Sequence, residues 1–328
     1  MYTILSADVG GTKTLLQLSQ LCNGKLDIIK SEKIPSGNFS TFTQLLQHFL
    51  NDFEVVDSAC FAVAGPVKHY ERYSESKITN LPWLINSAEI ESQLQIKKVA
   101  LINDFEAIGY AIEHLPEEDF LTIQQGTPQK NGIKAVIGAG TGLGQAILVH
   151  TGEHYKVLST EGGHTDFAAN SEIEFALFQY LKRDYSHVSY ERVLSGQGIV
   201  NVFDFLLEKN NAQNDEAHRE ILQSNDRAAA ISIAAGEKSN TLACETMSLF
   251  MKIYGAQAGN LALSCLANGG VYIAGGMAAK NLFAFDDKLF INTFNDKGRM
   301  QTLTQKMPVK IITNQNVGLI GATHFACR

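Results

Sequence analysis

Ala7-Asp8-Val9-Gly10-Gly11-Thr12-Lys13 is the stretch from which the fold can be read. Before it, Tyr2–Ala7 has the β-branched and aliphatic content of a strand, and Thr14–Leu21 repeats that content after it. Two adjacent glycines between such runs predict a hairpin. A turn stripped of side chains also lets its backbone N–H groups face an anion at close range. Asp8 would repel a phosphate there unless a divalent cation lay between them. An ordinary hairpin carries the same glycine pair, so this turn alone leaves both readings open.

The device recurs. Ala135-Val136-Ile137 leads into Gly138-Ala139-Gly140-Thr141-Gly142-Leu143-Gly144, and Gln145–His150 returns as a strand. A third cluster, Gly269-Gly270 and Gly275-Gly276, brackets the short apolar run Val271–Ala274. No G-x-x-x-x-G-K-[ST] exists, and the glycines at 138, 140, 142 and 144 do not fit G-x-G-x-x-G. What remains is strand, glycine turn, strand, used twice. Two phosphate-facing hairpins in two similar halves are the arrangement of the actin-like ATPase (ribonuclease H-like) fold, an α/β class.

Composition agrees. The chain has 328 residues, enough for two domains with proper cores, and 45% of them are hydrophobic. A net charge of −7 and a pI near 5.7 argue against nucleic acid or an acidic membrane as the main partner. There is no apolar run long enough to span a bilayer, and the chain begins in a strand, so a cytoplasmic protein is expected. The cysteines (Cys22, Cys60, Cys244, Cys265, Cys327) are odd in number and include no C-x-x-C. Neither a disulfide framework nor a structural zinc is expected from them.

Apolar residues at Phe42, Leu45, Leu46, Phe49 and Leu50 predict a helix over Phe42–Phe53. Ala59–Ala64, stopped by Gly65-Pro66, and Val99–Ile102 read as buried strands, with a helix from Phe105 through Ile112. Strands alternating with helices predict a parallel or mixed sheet covered on both faces. The turn-rich Gln124–Gly132 marks the expected boundary between halves. Beyond it, helices are expected at Glu172–Lys182, Ile199–Asn210, Asp226–Ala235 and Leu242–Leu266, with Lys209–Glu216 a surface loop. Val309–Ile312 reads as a strand and Val317–Cys327 as a closing helix.

Polar groups then mark candidate chemistry. Asn103-Asp104 follows a buried strand and precedes a helix, the place where open α/β sheets bind ligands. Asp104 also suits a helix N-cap. Glu161-Gly162-Gly163-His164 puts a carboxylate and an imidazole beside two glycines, so backbone can approach a ligand. His164 has no cysteines near it in sequence to share a metal. Glu191-Arg192-Val193-Leu194-Ser195-Gly196 supplies another acid, which on its own could be a surface ion pair. Carboxylates accept from hydroxyls, while an amide and an imidazole both donate and accept, a set suited to a polyhydroxylated ligand.

With these residues in view, the chain resembles the bacterial glucokinase family, the ATP-dependent glucose kinases of hexokinase type, close to the enterobacterial form. The resemblance runs nearly end to end. It includes Ala7–Thr12, Ala62–Pro66, Thr79–Trp83, Ile102–Phe105, Gly138–Gly144, Glu161–Phe167, Glu191–Gly196, Val271–Gly276, Asp296–Arg299 and Gly318–Gly321. It implies two actin-like domains with the active site in the cleft between them. The smaller would hold residues 1–114 and about 314–328, the larger 115–313.

By this resemblance Asp104 is the general base for the sugar 6-hydroxyl, and Asn103 binds neighbouring hydroxyls. Glu161 and His164 hold the sugar near its 2- and 3-hydroxyls and anomeric end, and Glu191 binds the anomeric hydroxyl. Ala7, Asp8, Val9, Gly10, Gly11 and Thr12 form one phosphate turn, and Gly140, Thr141 and Gly142 lie in the other. Asp8 would hold Mg²⁺ through water, and Gly275-Gly276 would lie under the adenosine. The implied ligands are glucose and ATP with Mg²⁺, without zinc, in a homodimer. Lys13 replaces the enterobacterial asparagine, and Asn314–Val317 departs from the family's Asp-Asn-Pro-Gly.

Three other readings remain. One is a kinase for fructose, mannose or an N-acetylhexosamine. The related repressor–kinase family usually has clustered cysteines beside the glycine–histidine motif, and these are absent here. A non-catalytic sugar sensor would normally need a DNA-binding segment and would be free to lose Asp104. An actin-like assembly ATPase would leave Glu161, His164 and Glu191 without a purpose.

Overall fold

The computed structural model describes residues 2–51, 55–78, 81–212 and 215–328. They divide into two compact units. The first runs to Glu117 and adds Tyr155–Ser159 and Gln315–Arg328; the second is Glu118–His154 with Thr160–Asn314.

The first unit begins with β1 (Tyr2–Val9), β2 (Lys13–Cys22) and β3 (Lys25–Pro35), then α1 (Phe42–Leu50) and β4 (Ser58–Val63). The short β5 (Lys68–His69), β6 (Ser74–Lys77) and β7 (Leu84–Asn86) form a small sheet of their own, followed by α2 (Ser87–Leu94), β8 (Val99–Asn103) and α3 (Asp104–Ala111). The main sheet has the order β3-β2-β1-β4-β8. β1, β2 and β3 meander antiparallel, whereas β1, β4 and β8 run parallel. Every position of β4 is buried, as expected for a central parallel strand. α1 buries the five apolar residues that predicted it, and Thr41 caps it by accepting from the Gln44 N–H.

The second unit begins with β9 (Phe120–Gln124), β10 (Lys134–Ala139) and β11 (Leu143–His150); β12 (Tyr155–Thr160) follows in the chain, its residues 155–159 belonging to the first unit. Then come α4 (Glu172–Leu181), α5 (Gly196–Lys209), α6 (Arg219–Gln223), α7 (Arg227–Gly236) and the long α8 (Thr241–Cys265). β13 (Gly270–Ala274), α9 (Gly275–Lys280), α10 (Leu289–Asn295), α11 (Gln301–Thr304) and β14 (Val309–Ile312) complete it. Its strands lie in the order β11-β10-β13-β14-β9. β10 pairs antiparallel with β11 and parallel with β13, so each unit has a glycine-turn hairpin feeding a parallel core. The chain then returns to the first unit as α12 (Val317–Ala326).

Two expectations change. Gln124, placed in the boundary stretch, ends a strand instead, and the units part at Glu117 and Glu118. Phe120–Gln124 is partly apolar and finds an antiparallel partner in β14, which outweighs the turn residues after it. The N-cap of α3 is Asn103, with Asp104 as its first helical residue. The expected α1 helix (Asp52, Phe53), the Thr79–Trp83 motif (Thr79, Asn80) and the 209–216 loop (Gln213, Asn214) include positions outside the described residues. Trp83 itself is buried, donating from Nε1 to the Phe39 carbonyl at 3.1 Å. Among the described residues no helix is long and apolar enough to cross a membrane.

Candidate active site

In the first unit, strand register brings the carboxylates together. Val9 pairs with Val63 and Val63 with Asn103, so β1, β4 and β8 end in one row. Asp8 lies one residue before that row and Asp104 one residue after it. This is the carboxyl edge of a parallel sheet, where ligands bind in open α/β folds.

Local bonds fix the Asn103-Asp104 corner. The Phe105 N–H is shared by Asn103 Oδ1 at 2.9 Å and Asp104 Oδ1 at 3.0 Å. Asn103 Nδ2 donates to the Gly65 carbonyl at 3.2 Å, tying the corner to the end of β4. Burial pushes the Asp104 carboxyl up to about 6, and the nearby Asp8 charge adds to the rise; the Phe105 N–H works the other way. Asp8 is also raised by burial, with Lys33 opposing.

α12 is the backing of this edge. A Cβ on Gly321 would overlap the Ala107 carbonyl of α3, so the two helices cross with backbone in contact. A Cβ on Gly318 would come 3.0 Å from Asp8 Oδ2, which places the first turn of α12 against that carboxylate. The partial positive charge of a helix N-terminus suits an acid there.

The hairpin turn beside Asp8 is tight. The Gly10 N–H donates to Lys13 O at 3.1 Å, and a Cβ on Gly10 would lie only 2.8 Å from that oxygen. From behind, the buried Ser36 donates its hydroxyl to the Gly10 carbonyl at 2.9 Å and its N–H to Thr12 O at 3.0 Å.

In the second unit the structure gathers Glu161, His164 and Glu191. Residues 165–167 pair with 188–190 through the Phe167 N–H to Val188 O at 2.9 Å and the Tyr190 N–H to Thr165 O at 3.1 Å. The two motifs therefore end side by side. His164 Nε2 lies 3.8 Å from Glu161 Oε2 and its Nδ1 3.9 Å from Glu191 Oε1. His187 donates from Nε2 to the His164 carbonyl at 2.8 Å. Both glycines between Glu161 and His164 are required by β11 beneath them. A Cβ on Gly162 would overlap the Gln145 side chain, and one on Gly163 the Leu143 carbonyl.

The same cluster touches the second glycine hairpin. Glu191 Oε2 accepts the Leu143 N–H at 2.9 Å, and a Cβ on Gly142 would overlap that carboxylate. The Gly140 N–H donates to Gly142 O at 2.8 Å, and the Gly196 N–H at the start of α5 donates to Gly140 O, also at 2.8 Å. Ser195 caps α5 through Gly198 N–H while donating to the Glu191 carbonyl at 2.7 Å. Gly275, at φ +85°, adopts a backbone that only glycine takes easily, and a Cβ there would lie 2.6 Å from Ala139 O. Around Gly276 and Gly140 a Cβ would meet nothing within 4 Å, so backbone is open at both.

Sequence reasoning missed Ser36 and Tyr254. The buried Tyr254 hydroxyl accepts the Ala139 N–H at 3.2 Å and donates to Ile137 O at 3.4 Å, holding the end of β10. Neither had a local signal, since each acts on a strand far away in sequence.

A glycine-rich hairpin turn in each unit, with carboxylates at a parallel-sheet edge in the first, is the arrangement of an actin-like ATPase fold. The glucokinase family model matches residues 5–328. The chain is 42% identical to a glucokinase of Nostoc sp., with 100% of each chain covered. It is 37% identical to a glucokinase of Photorhabdus laumondii, over 97% of this chain and 95% of the relative. The crystal structure of a glucokinase from an Antarctic psychrotroph superimposes with a TM-score of 0.85 at 31% identity, covering 100% of this chain and 99% of the other. The chain belongs to the glucokinase family.

Proposed function

We infer that this protein phosphorylates D-glucose from ATP, forming glucose 6-phosphate and ADP. The observation that carries the mechanism is Asp104: a carboxylate at the carboxyl end of β8, held by the Phe105 N–H and raised by burial to about 6. A general base works best with a pKa near the operating pH, and such a base typically contributes about 10²–10⁴-fold. Asp104 takes the proton of the 6-hydroxyl as that oxygen attacks the γ-phosphorus and the bond to the ADP oxygen breaks.

Asn103 binds an adjacent hydroxyl. Glu161, His164 and Glu191 hold the 2- and 3-hydroxyls and the anomeric end, with carboxylates accepting and the imidazole able to donate. Phosphoryl transfer needs positioning and charge neutralisation more than covalent help. The turns Ala7–Thr12 and Gly140–Gly142 line the phosphates, donating from the N–H groups that their own hairpin bonds (Gly10 to Lys13 O, Gly140 to Gly142 O) leave over, and Gly275-Gly276 supports the adenosine.

The donor set fits magnesium held indirectly. Asp8, a partly buried carboxylate beside the first phosphate turn, is a single acid suited to hold the ion through water. Mg²⁺ commonly binds through one or two carboxylates, waters and substrate phosphates. Bound there, the ion would neutralise phosphate charge, and Asp8 would be the residue that holds it through water. The proposal includes a cytoplasmic homodimer that needs no zinc.

A coupled ADP-release assay with ATP and Mg²⁺ over a panel of hexoses tests this reading. Turnover should be stimulated most by glucose. Preference for fructose, mannose or an N-acetylhexosamine would replace the substrate, and turnover indifferent to sugar would end the kinase assignment.

A further inference from the structure

We propose that Ser36 is a positioning residue for ATP, holding the first phosphate turn so that its N–H groups face the nucleotide. The proposal rests on the assignment of Ala7–Thr12 as a phosphate turn. Ser36 follows β3 and is fully buried. Its hydroxyl donates to the Gly10 carbonyl at 2.9 Å, and its N–H donates to the Thr12 carbonyl at 3.0 Å. A hydroxyl has one proton, so the 3.0 Å contact between Thr14 Oγ1 and Ser36 Oγ must have Thr14 as donor. Thr14, also buried, thereby aims the Ser36 proton at Gly10.

The consequence follows from peptide planarity. In a trans peptide the C=O of one residue and the N–H of the next point in opposite directions. Drawing the Gly10 and Thr12 carbonyls toward Ser36 turns the N–H groups of Gly11 and Lys13 away from it. Carbonyl oxygens facing a phosphate would repel it, whereas N–H groups attract it. Ser36 thus fixes two peptides of the turn, with the Gly10 and Thr12 carbonyls on its own side and the Gly11 and Lys13 N–H groups on the other. Gly10 has no side chain to do this, because any Cβ would crowd the Lys13 carbonyl.

The test compares Ser36→Ala and Thr14→Val with Ser58→Ala. Ser58 is equally buried in the same sheet and donates to the Ala326 carbonyl at 3.0 Å, away from the turn. It therefore reports what losing a buried hydroxyl does by itself. KM for ATP, Kd for glucose and the melting temperature are measured for all three and the wild type. Ser36→Ala should raise KM for ATP about 3- to 10-fold, the worth of one net hydrogen bond, with Kd for glucose within about twofold of wild type. Thr14→Val should move KM for ATP in the same direction, and Ser58→Ala should lower the melting temperature alone. The proposal is overturned if Ser36→Ala leaves KM for ATP unchanged, weakens both ligands equally, or matches Ser58→Ala. Should Ser36→Ala not fold, Thr14→Val is judged by the same criterion. A wild type that fails to turn over glucose would instead remove the phosphate-turn assignment.

Discussion

Asp104 is acidic yet must stay ionised to act, and its surroundings set the pH at which it does. With its carboxyl raised to about 6, chiefly by burial, the base is lost as pH falls through that value. The pH profile of kcat/KM for glucose should therefore drop below about pH 6 with the slope of one proton; a profile flat to pH 5 would contradict the assignment. The sugar-holding residues separate differently. His164→Ala and Glu191→Gln should each weaken glucose binding by roughly 1–3 kcal/mol, through a hydroxyl left poorly paired. Nucleotide binding should change less, because a glutamine at 191 still offers an oxygen to the Leu143 N–H that Glu191 accepts. Titrations of both ligands against each variant check this, and equal losses would mark a structural role.

Helix contacts decide how well these groups are held. α12 crosses α3 at Gly321 with backbone touching, so Gly321→Ala must push the helices apart. Overpacking of this kind costs about 1–3 kcal/mol. Because Asp104 begins α3, kcat should fall along with the melting temperature; a variant of lowered stability with unchanged kcat would show that the crossing does not position Asp104. The far end of the same helix pair has a different sensitivity. The rings of His114 and His324 stack 3.6 Å apart, nearly parallel. Burial, the charge of His114 and Arg328 hold His324 down to about 4, and burial and Arg328 also lower His114 while Glu113 opposes. The unfolded chain binds those protons more readily, near the ordinary 6.5. The contribution of the stack is therefore complete above pH 6.5 and is lost as pH falls from there toward 4. His324→Gln should flatten the fall in melting temperature across that window, and an unaltered slope would exclude the pair as its source.

For the molecule as a whole, what was legible in the sequence was what is local. A glycine pair in one case and alternating glycines in the other, each between apolar runs, marked the two hairpins, and Asn103-Asp104 announced the end of β8 because a buried strand there meets a helical pattern. The helix faces were equally readable from their spacing. Contacts between distant segments were not. Ser36 reaches a turn 26 residues away and Glu191 accepts from Leu143 across 48, with no motif spanning either pair. Gly318 and Gly321 look like ordinary helix glycines until Asp8 and Ala107 are seen against them. Tyr155–Ser159 reads as an ordinary strand, and nothing in it tells which unit it belongs to. If Asp104 removes the proton from glucose, Asp104→Asn shows it with little change of shape. Asn103 already caps α3, so the substitution spares the cap. Since the folded protein binds the Asp104 proton more tightly than the unfolded chain, stability from this group is full below about 3.8 and lost as pH rises through 6. The variant should accordingly melt no lower than wild type at pH 7.5. The decisive measurement is kcat beside a glucose titration on this variant. Glucose binding should be retained with kcat reduced at least about 10²-fold; near-normal turnover in the folded variant would remove Asp104 as the base.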